Sequence, residues 1–227
     1  MAPKKAAPAA APPAQRKPAP ASPAKTTYLV AYNFVSAVLW ATVLGRVVAV
    51  YAMRGPAAVH LFTGDFARWT QTLAGMEVLH ALFGIVRSPL FTTVVQVLSR
   101  FVLVWAVVYP FPQLAASPFY SSMLLAWSLT EVIRYTYFAV SLSSGARGCP
   151  PAFTWLRYST FTVLYPVGIL SECAMIWLAA EGPAAALHEL APWVLRAVLL
   201  LYVPGSYIMY THMMKQRRKV LARQKTE

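Results

Sequence analysis

The chain has 227 residues, 58% of them hydrophobic and only 12% charged, with a mean hydropathy of +0.52. A soluble domain is about a quarter charged, so a water-soluble globule is excluded and an integral membrane protein remains. Basic residues outnumber acidic ones 20 to 7. They gather before the first apolar run (Lys4, Lys5, Arg16, Lys17, Lys25) and after the last (Lys215, Arg217, Arg218, Lys219, Arg223, Lys225), which is cytoplasmic retention at a membrane rather than nucleic-acid binding.

In chain order, residues 1–27 are Ala/Pro-rich with five basic and no acidic residues, a composition expected to stay a disordered tail. No short apolar core with a cleavage site follows, so the first apolar run is expected to be retained as a span. Runs of helix-spanning length occupy 28–50, 91–109, 120–141, 154–180 and 187–211. A sixth, 69–87, is weaker because it carries Glu77 and His80. The spacing predicts an all-α, polytopic bundle of six transmembrane helices over 28–211, followed by a basic tail over 212–227. Both tails are basic, so both face the cytoplasm and the number of crossings is even. Arg87, Arg147 and Arg157 then fall on the cytoplasmic side.

Ionisable residues inside the spans are expensive, so each needs a partner or a task. They are Glu77, Arg100, Glu131, Arg134 and Glu172. Glu131 and Arg134 stand three apart on one helix and can pair. Glu77 and Arg100 fall at similar depth and are expected to pair across the second and third spans. Glu172 is then the acid without a cation, because Arg157 lies fifteen residues earlier, about 22 Å along the helix. A carboxyl in such a setting can exchange a proton near neutral pH. Tyr158, Tyr165 and Glu172 follow at intervals of seven, about 20° short of two full turns each, so they share one helix face. Pro166 and Gly168 loosen the backbone between Tyr165 and Glu172. Tyr158, near the cytoplasmic end, also reads as an interface anchor.

Other chemistries leave less trace. Glu77 and His80 form a single ExxH, whereas a di-iron bundle needs that unit twice plus two more Glu. Two cysteines, Cys149 and Cys173, have no zinc spacing, and neither is followed by the Arg of a Cys-x5-Arg phosphatase loop. No GxGxxG or GxxxxGK phosphate loop is present. No metal site is expected.

The segments LRYSTFTVLYPVGILSE (156–172), WSLTEVIRYTYF (127–138) and GMEVLHALFGIVRSPLFTTVVQVLSR (75–100) together resemble the very-long-chain (3R)-3-hydroxyacyl-CoA dehydratases, also called protein-tyrosine-phosphatase-like proteins. The resemblance covers roughly residues 28–215. It implies removal of water from a 3-hydroxyacyl-CoA to give the trans-2-enoyl-CoA, in the endoplasmic reticulum membrane, alongside the condensing enzyme and reductases of fatty-acid elongation. It places the catalytic pair on Tyr165 and Glu172 and the substrate-binding set on Arg157, Arg134, Arg100, Tyr158 and Gly168. The C-terminal RQKTE is similar to a dilysine-type retrieval signal. The chemistry fits the residues. Elimination β to a thioester needs a base for the C2 proton and an acid for the C3 hydroxyl, but no metal or redox cofactor beyond the CoA of the substrate. Which of Tyr165 and Glu172 is base stays open. The competing reading is a non-catalytic membrane scaffold for elongation enzymes, with a proton-relay transporter as a third.

Overall fold

The computed structural model describes residues 22–145 and 148–224, and among these it contains helices and turns but no strand. Arg147 and Lys225 lie outside the described residues. The helices are α1 (Pro23–Arg54), α2 (Val59–Leu73), α3 (Gly75–Leu82), α4 (Leu90–Phe101), α5 (Pro118–Ser144), α6 (Pro151–Ser159), α7 (Phe161–Glu181) and α8 (Ala191–Gln224). Short 3-10 turns cover Pro56–Ala58, Pro112–Ala116 and Pro183–Ala186.

Local chemistry accounts for the boundaries. Ser22 caps α1 by accepting from the Lys25 amide, with Pro23 at the first helical position, so the helix begins several residues before the expected 28. Ser117 and Pro118 repeat the device at α5. Gly55 (φ 80°) and Gly145 (φ 53°) close α1 and α5 in the left-handed region, where a side chain would be strained. The second apolar run starts earlier than expected, at Val59, and is interrupted at Ala74 between α2 and α3. Beyond Phe101, α4 widens into a π-helical stretch over Val102–Val108, whose indole Trp105 donates to Thr72 of α2 at 3.1 Å. Beyond 211 the helix α8 continues through the basic stretch as far as Gln224.

The fifth run is two helices. The chain tightens at Thr160, where the Val163 amide bonds the Thr160 carbonyl, and α7 then passes through Pro166 without a break. The loosening expected at Pro166 and Gly168 therefore lies one to two turns earlier. Gly168 packs on α5 instead: a methyl there would meet the Ala126 Cβ at 3.7 Å, an ordinary contact.

Four segments are long and apolar enough to cross a membrane by length and composition: Pro23–Arg54, Leu90–Val108, Pro151–Glu181 and Ala191–Ala222. Of the six runs expected to cross, residues 59–82 and α5, which carry Glu77, Glu131 and Arg134, are not among these four. Large apolar side chains such as Leu61, Phe91, Leu170 and Leu200 point outward, as lipid-facing residues do. The most extensive interface joins α1 to α5; α5 packs on α7, and α7 on α8. The dry core is built from Trp40, Val43, Val47, Leu103, Val107, Met123, Met175 and Ile176. Trp40, Val43 and Val47 come from the C-terminal half of α1, Met175 and Ile176 from that of α7, Met123 from the start of α5, and Leu103 and Val107 from the π-helical stretch, so this core sits toward one end of the bundle. Glu131 and Arg134 lie farther along α5.

Candidate active site

Two polar centres meet on α5. The first is an ion cluster. Arg134 of α5 donates its Nε to Glu131 at 2.6 Å and its two terminal nitrogens to the two oxygens of Glu77 at 3.0 and 2.7 Å. Arg100 of α4 bonds the other oxygen of Glu131, and the Tyr135 phenol donates to Glu77. Two guanidiniums and two carboxylates alternate, so the cluster is neutral as a whole. It ties α3, α4 and α5 together with charge-assisted bonds.

The expected Glu131–Arg134 pair is present. The expected Glu77–Arg100 pair is not: Arg100 goes to Glu131, and Glu77 takes Arg134. Burial explains the exchange. The Glu131 side chain is 5% exposed against 21% for Glu77, so it is the more desolvated acid and collects both cations. Depth in the membrane fixes only one coordinate, and the rotation of α4 fixes the partner. His80, the other half of the ExxH, is buried among Tyr28 and Tyr32 and bonds the Tyr28 hydroxyl at 2.8 Å.

The second centre surrounds Glu172. Its Oε1 accepts from the indole N–H of Trp127 (α5) at 2.7 Å and its Oε2 from the Tyr202 hydroxyl (α8) at 3.0 Å. Among the described residues no cation pairs with it. Tyr165, two turns earlier, also faces α8: its hydroxyl lies 3.5 Å from the Ser206 carbonyl and its ring 6.1 Å from that of Tyr210. Tyr202, Ser206 and Tyr210 recur every four residues, so they line one face of α8. That face meets α7 antiparallel: Glu172 lies beside Tyr202, Phe161 beside Tyr210 and Ser159 beside Arg217. Tyr165 and Glu172 thus point into one seam, about 10 Å apart along the axis.

A hollow lies beyond each end of that pair. One, of about 380 Å³, is lined by Ser159, Thr160, Thr162, Val163 and Arg217, whose Nε donates to Ser159 at 3.3 Å. The other, also about 380 Å³, is almost wholly apolar, lined by Phe119, Cys173, Ala174, Trp177 and Leu199. Tyr165 and Glu172 line neither; α8 side chains fill the seam between them. Arg157 lies over the rings of Phe138 and Tyr158 at 5.7 and 5.8 Å, and its buried Nε has no hydrogen-bond partner among the described residues. Tyr158 stacks edge-on against Tyr137, 6.1 Å between centres. Arg87 is exposed in the turn between α3 and α4.

Sequence reasoning passed over Trp127, Tyr135 and Tyr202. Tyr202 had a signal in the four-residue recurrence on α8, and Trp127 in lying one turn before Glu131 on the same helix. Neither is distinctive in a chain with seven Trp and twelve Tyr.

No solved structure matches this chain. Among curated proteins it is 45% identical over 202 residues to the probable very-long-chain (3R)-3-hydroxyacyl-CoA dehydratase of Schizosaccharomyces pombe, covering 88% of this chain and 95% of that one. It is 36% identical over 217 residues to the very-long-chain (3R)-3-hydroxyacyl-CoA dehydratase PASTICCINO 2 of Arabidopsis thaliana, covering 89% and 96%. It is 31% identical over 210 residues to the human very-long-chain (3R)-3-hydroxyacyl-CoA dehydratase 2, covering 87% and 82%. The family described as "Protein tyrosine phosphatase-like protein, PTPLA" matches residues 71–223, the segment holding every residue of both polar centres, and the chain belongs to that family.

Proposed function

We propose that this chain is a very-long-chain (3R)-3-hydroxyacyl-CoA dehydratase that converts its substrate to the trans-2-enoyl-CoA, with Tyr165 and Glu172 as the acid–base pair. The observation that carries this reading is the shared seam: a phenol and a carboxyl project from one face of α7 toward α8, and the carboxyl is held by neutral donors. The relatives' names support the reaction.

In the proposed mechanism the acyl chain displaces the α8 contacts so that C2 and C3 lie between the two side chains. Glu172 takes the C2 proton, made acidic by the thioester. The C2–H electron pair forms the C2=C3 bond, the C3–O bond breaks, and the hydroxyl leaves as water with the proton of Tyr165. Solvent exchange returns the proton from Glu172 to Tyr165. The elimination is redox-neutral, so neither a metal nor a redox cofactor is required.

The surroundings agree with an amphipathic substrate. The apolar hollow beginning at Cys173 suits the acyl tail, and the opposite end of the seam has Arg217 and hydroxyls. Arg157, with an unpartnered Nε, and Tyr158 beside it are placed for the phosphates of CoA. Arg100 and Arg134 are taken up by carboxylates and serve the reaction by fixing α3, α4 and α5, while Gly168 faces Ala126 of α5. In this reading the basic flanks keep both termini on the cytoplasmic side of the endoplasmic reticulum membrane, the product passes to the reductase of the elongation cycle and the condensing enzyme lies upstream.

The test is turnover of a long-chain 3-hydroxyacyl-CoA to enoyl-CoA by detergent-purified protein. Tyr165→Phe and Glu172→Gln are each expected to lose about 10²- to 10⁴-fold in kcat with fold and substrate binding kept. Wild-type turnover in both variants would remove them from catalysis, and no turnover in any form would favour the scaffold.

A further inference from the structure

Both oxygens of Glu172 are bonded, yet neither bond is to a charge. The indole N–H of Trp127 reaches Oε1 from α5 and the Tyr202 hydroxyl reaches Oε2 from α8. The donors approach α7 from two different helices, so any rotation of the carboxyl other than the half-turn that exchanges its two equivalent oxygens breaks a bond. We infer that Trp127 and Tyr202 are positioning residues that fix the Glu172 carboxyl for proton transfer, an inference that rests on the reading of Glu172 as a catalytic group.

Three observations support it. A carboxylate oxygen has two lone pairs, so after accepting one bond each oxygen of Glu172 keeps one for a substrate proton. Trp127 is itself immobilised: it is buried, and the Arg100 guanidinium, anchored on Glu131, lies 5.0 Å from its ring centre. The ion cluster therefore sets the angle at which the indole meets Glu172. Finally, the two phenols of the seam divide the work. The Tyr202 hydroxyl is engaged by the carboxylate, whereas the Tyr165 hydroxyl has only a 3.5 Å contact to a carbonyl and is available to a leaving group.

The test is steady-state kinetics on the full chain in detergent with a long-chain 3-hydroxyacyl-CoA. The variants are Tyr202→Phe, Trp127→Phe, Glu172→Gln and Glu172→Asp, and the double variant Tyr202→Phe with Glu172→Asp. Tyr202→Phe removes one oxygen atom from a partly buried ring and with it one hydrogen bond, so its melting temperature is expected to fall by a few degrees with the fold kept. We expect kcat to fall about 10- to 100-fold with KM changed less than about twofold, as for a misplaced reacting group. Glu172→Asp withdraws the carboxyl from both donors, so adding Tyr202→Phe to it should lower kcat no further. A multiplicative loss in the double variant would overturn the inference, because Tyr202 would then act independently of Glu172. Wild-type kcat in Tyr202→Phe and Trp127→Phe, with Glu172→Gln inactive, would also overturn it and leave the catalytic reading standing. Wild-type kcat in Glu172→Gln would instead defeat the catalytic reading itself.

Discussion

Glu131 and Glu172 lie on neighbouring helices of the same bundle and meet opposite surroundings. Glu131 is enclosed by two guanidiniums, one from its own helix and one from α4. Glu172 is enclosed by an indole and a phenol. The first arrangement is one of fixed charge: each group is compensated, and removing a partner strands an ion in a low dielectric. The second holds the acid by neutral donors, so a change in its protonation state strands no partner ion. A carboxyl's use in a membrane bundle is thus set less by its depth than by whether its neighbours carry charge.

That contrast can be broken or sharpened by four changes. The largest effect is expected from Arg134→Ala, which strands Glu77 and leaves Glu131 with a single cation; stability should fall by about 3–5 kcal/mol, read as a lowered melting temperature in detergent. An unchanged melting temperature would show that the cluster is solvated. Tyr135→Phe removes one donor to Glu77 and should cost about 1.5–3 kcal/mol, again read by thermal unfolding. Glu172→Gln replaces an acceptor by an amide that satisfies only one of its two donors. Its stability should fall by about 1 kcal/mol while turnover collapses, so stability and activity separate at this acid and not at Glu131. A loss as large as that of Arg134→Ala would mean that Glu172 is structural. The smallest change belongs to Glu181→Ala, which breaks a half-exposed pair with Arg196 at 2.8 Å; about 0.2–1 kcal/mol is expected. A larger loss would point to burial of that loop against another protein.

Much of this was legible in the residues, for reasons that are local. The i, i+3 spacing of Glu131 and Arg134 required them to meet, and the seven-residue interval of Tyr165 and Glu172 required one face. The absence of a cation near Glu172 followed from counting charges in the spans. Pairing across helices was not legible. Arg100 and Arg134 are equally plausible partners for Glu77 until the rotation of α4 and α5 is known, and that is set by side-chain packing along whole interfaces. Trp127 and Tyr202 were hidden for a related reason: in lipid-facing helices aromatic residues are common, and only tertiary structure separates a hydrogen-bonding indole from an interface anchor. The break lies at Thr160 rather than at the stronger local breakers Pro166 and Gly168, and α7 runs on through both.

The position of α8 has a consequence for how the protein fails. Among the described residues this helix packs on α6, α7 and the turn at Pro183–Ala186, and large apolar side chains such as Trp193, Leu200, Leu201 and Tyr207 face outward. It is therefore the element with least to lose on peeling away, and it carries Tyr202. Heat or harsh detergent should detach it while α1, α5 and the ion cluster remain assembled. Inactivation is then an early, partial melting, and a ligand that bridges α7 and α8 should delay it without raising the temperature at which the rest of the bundle comes apart.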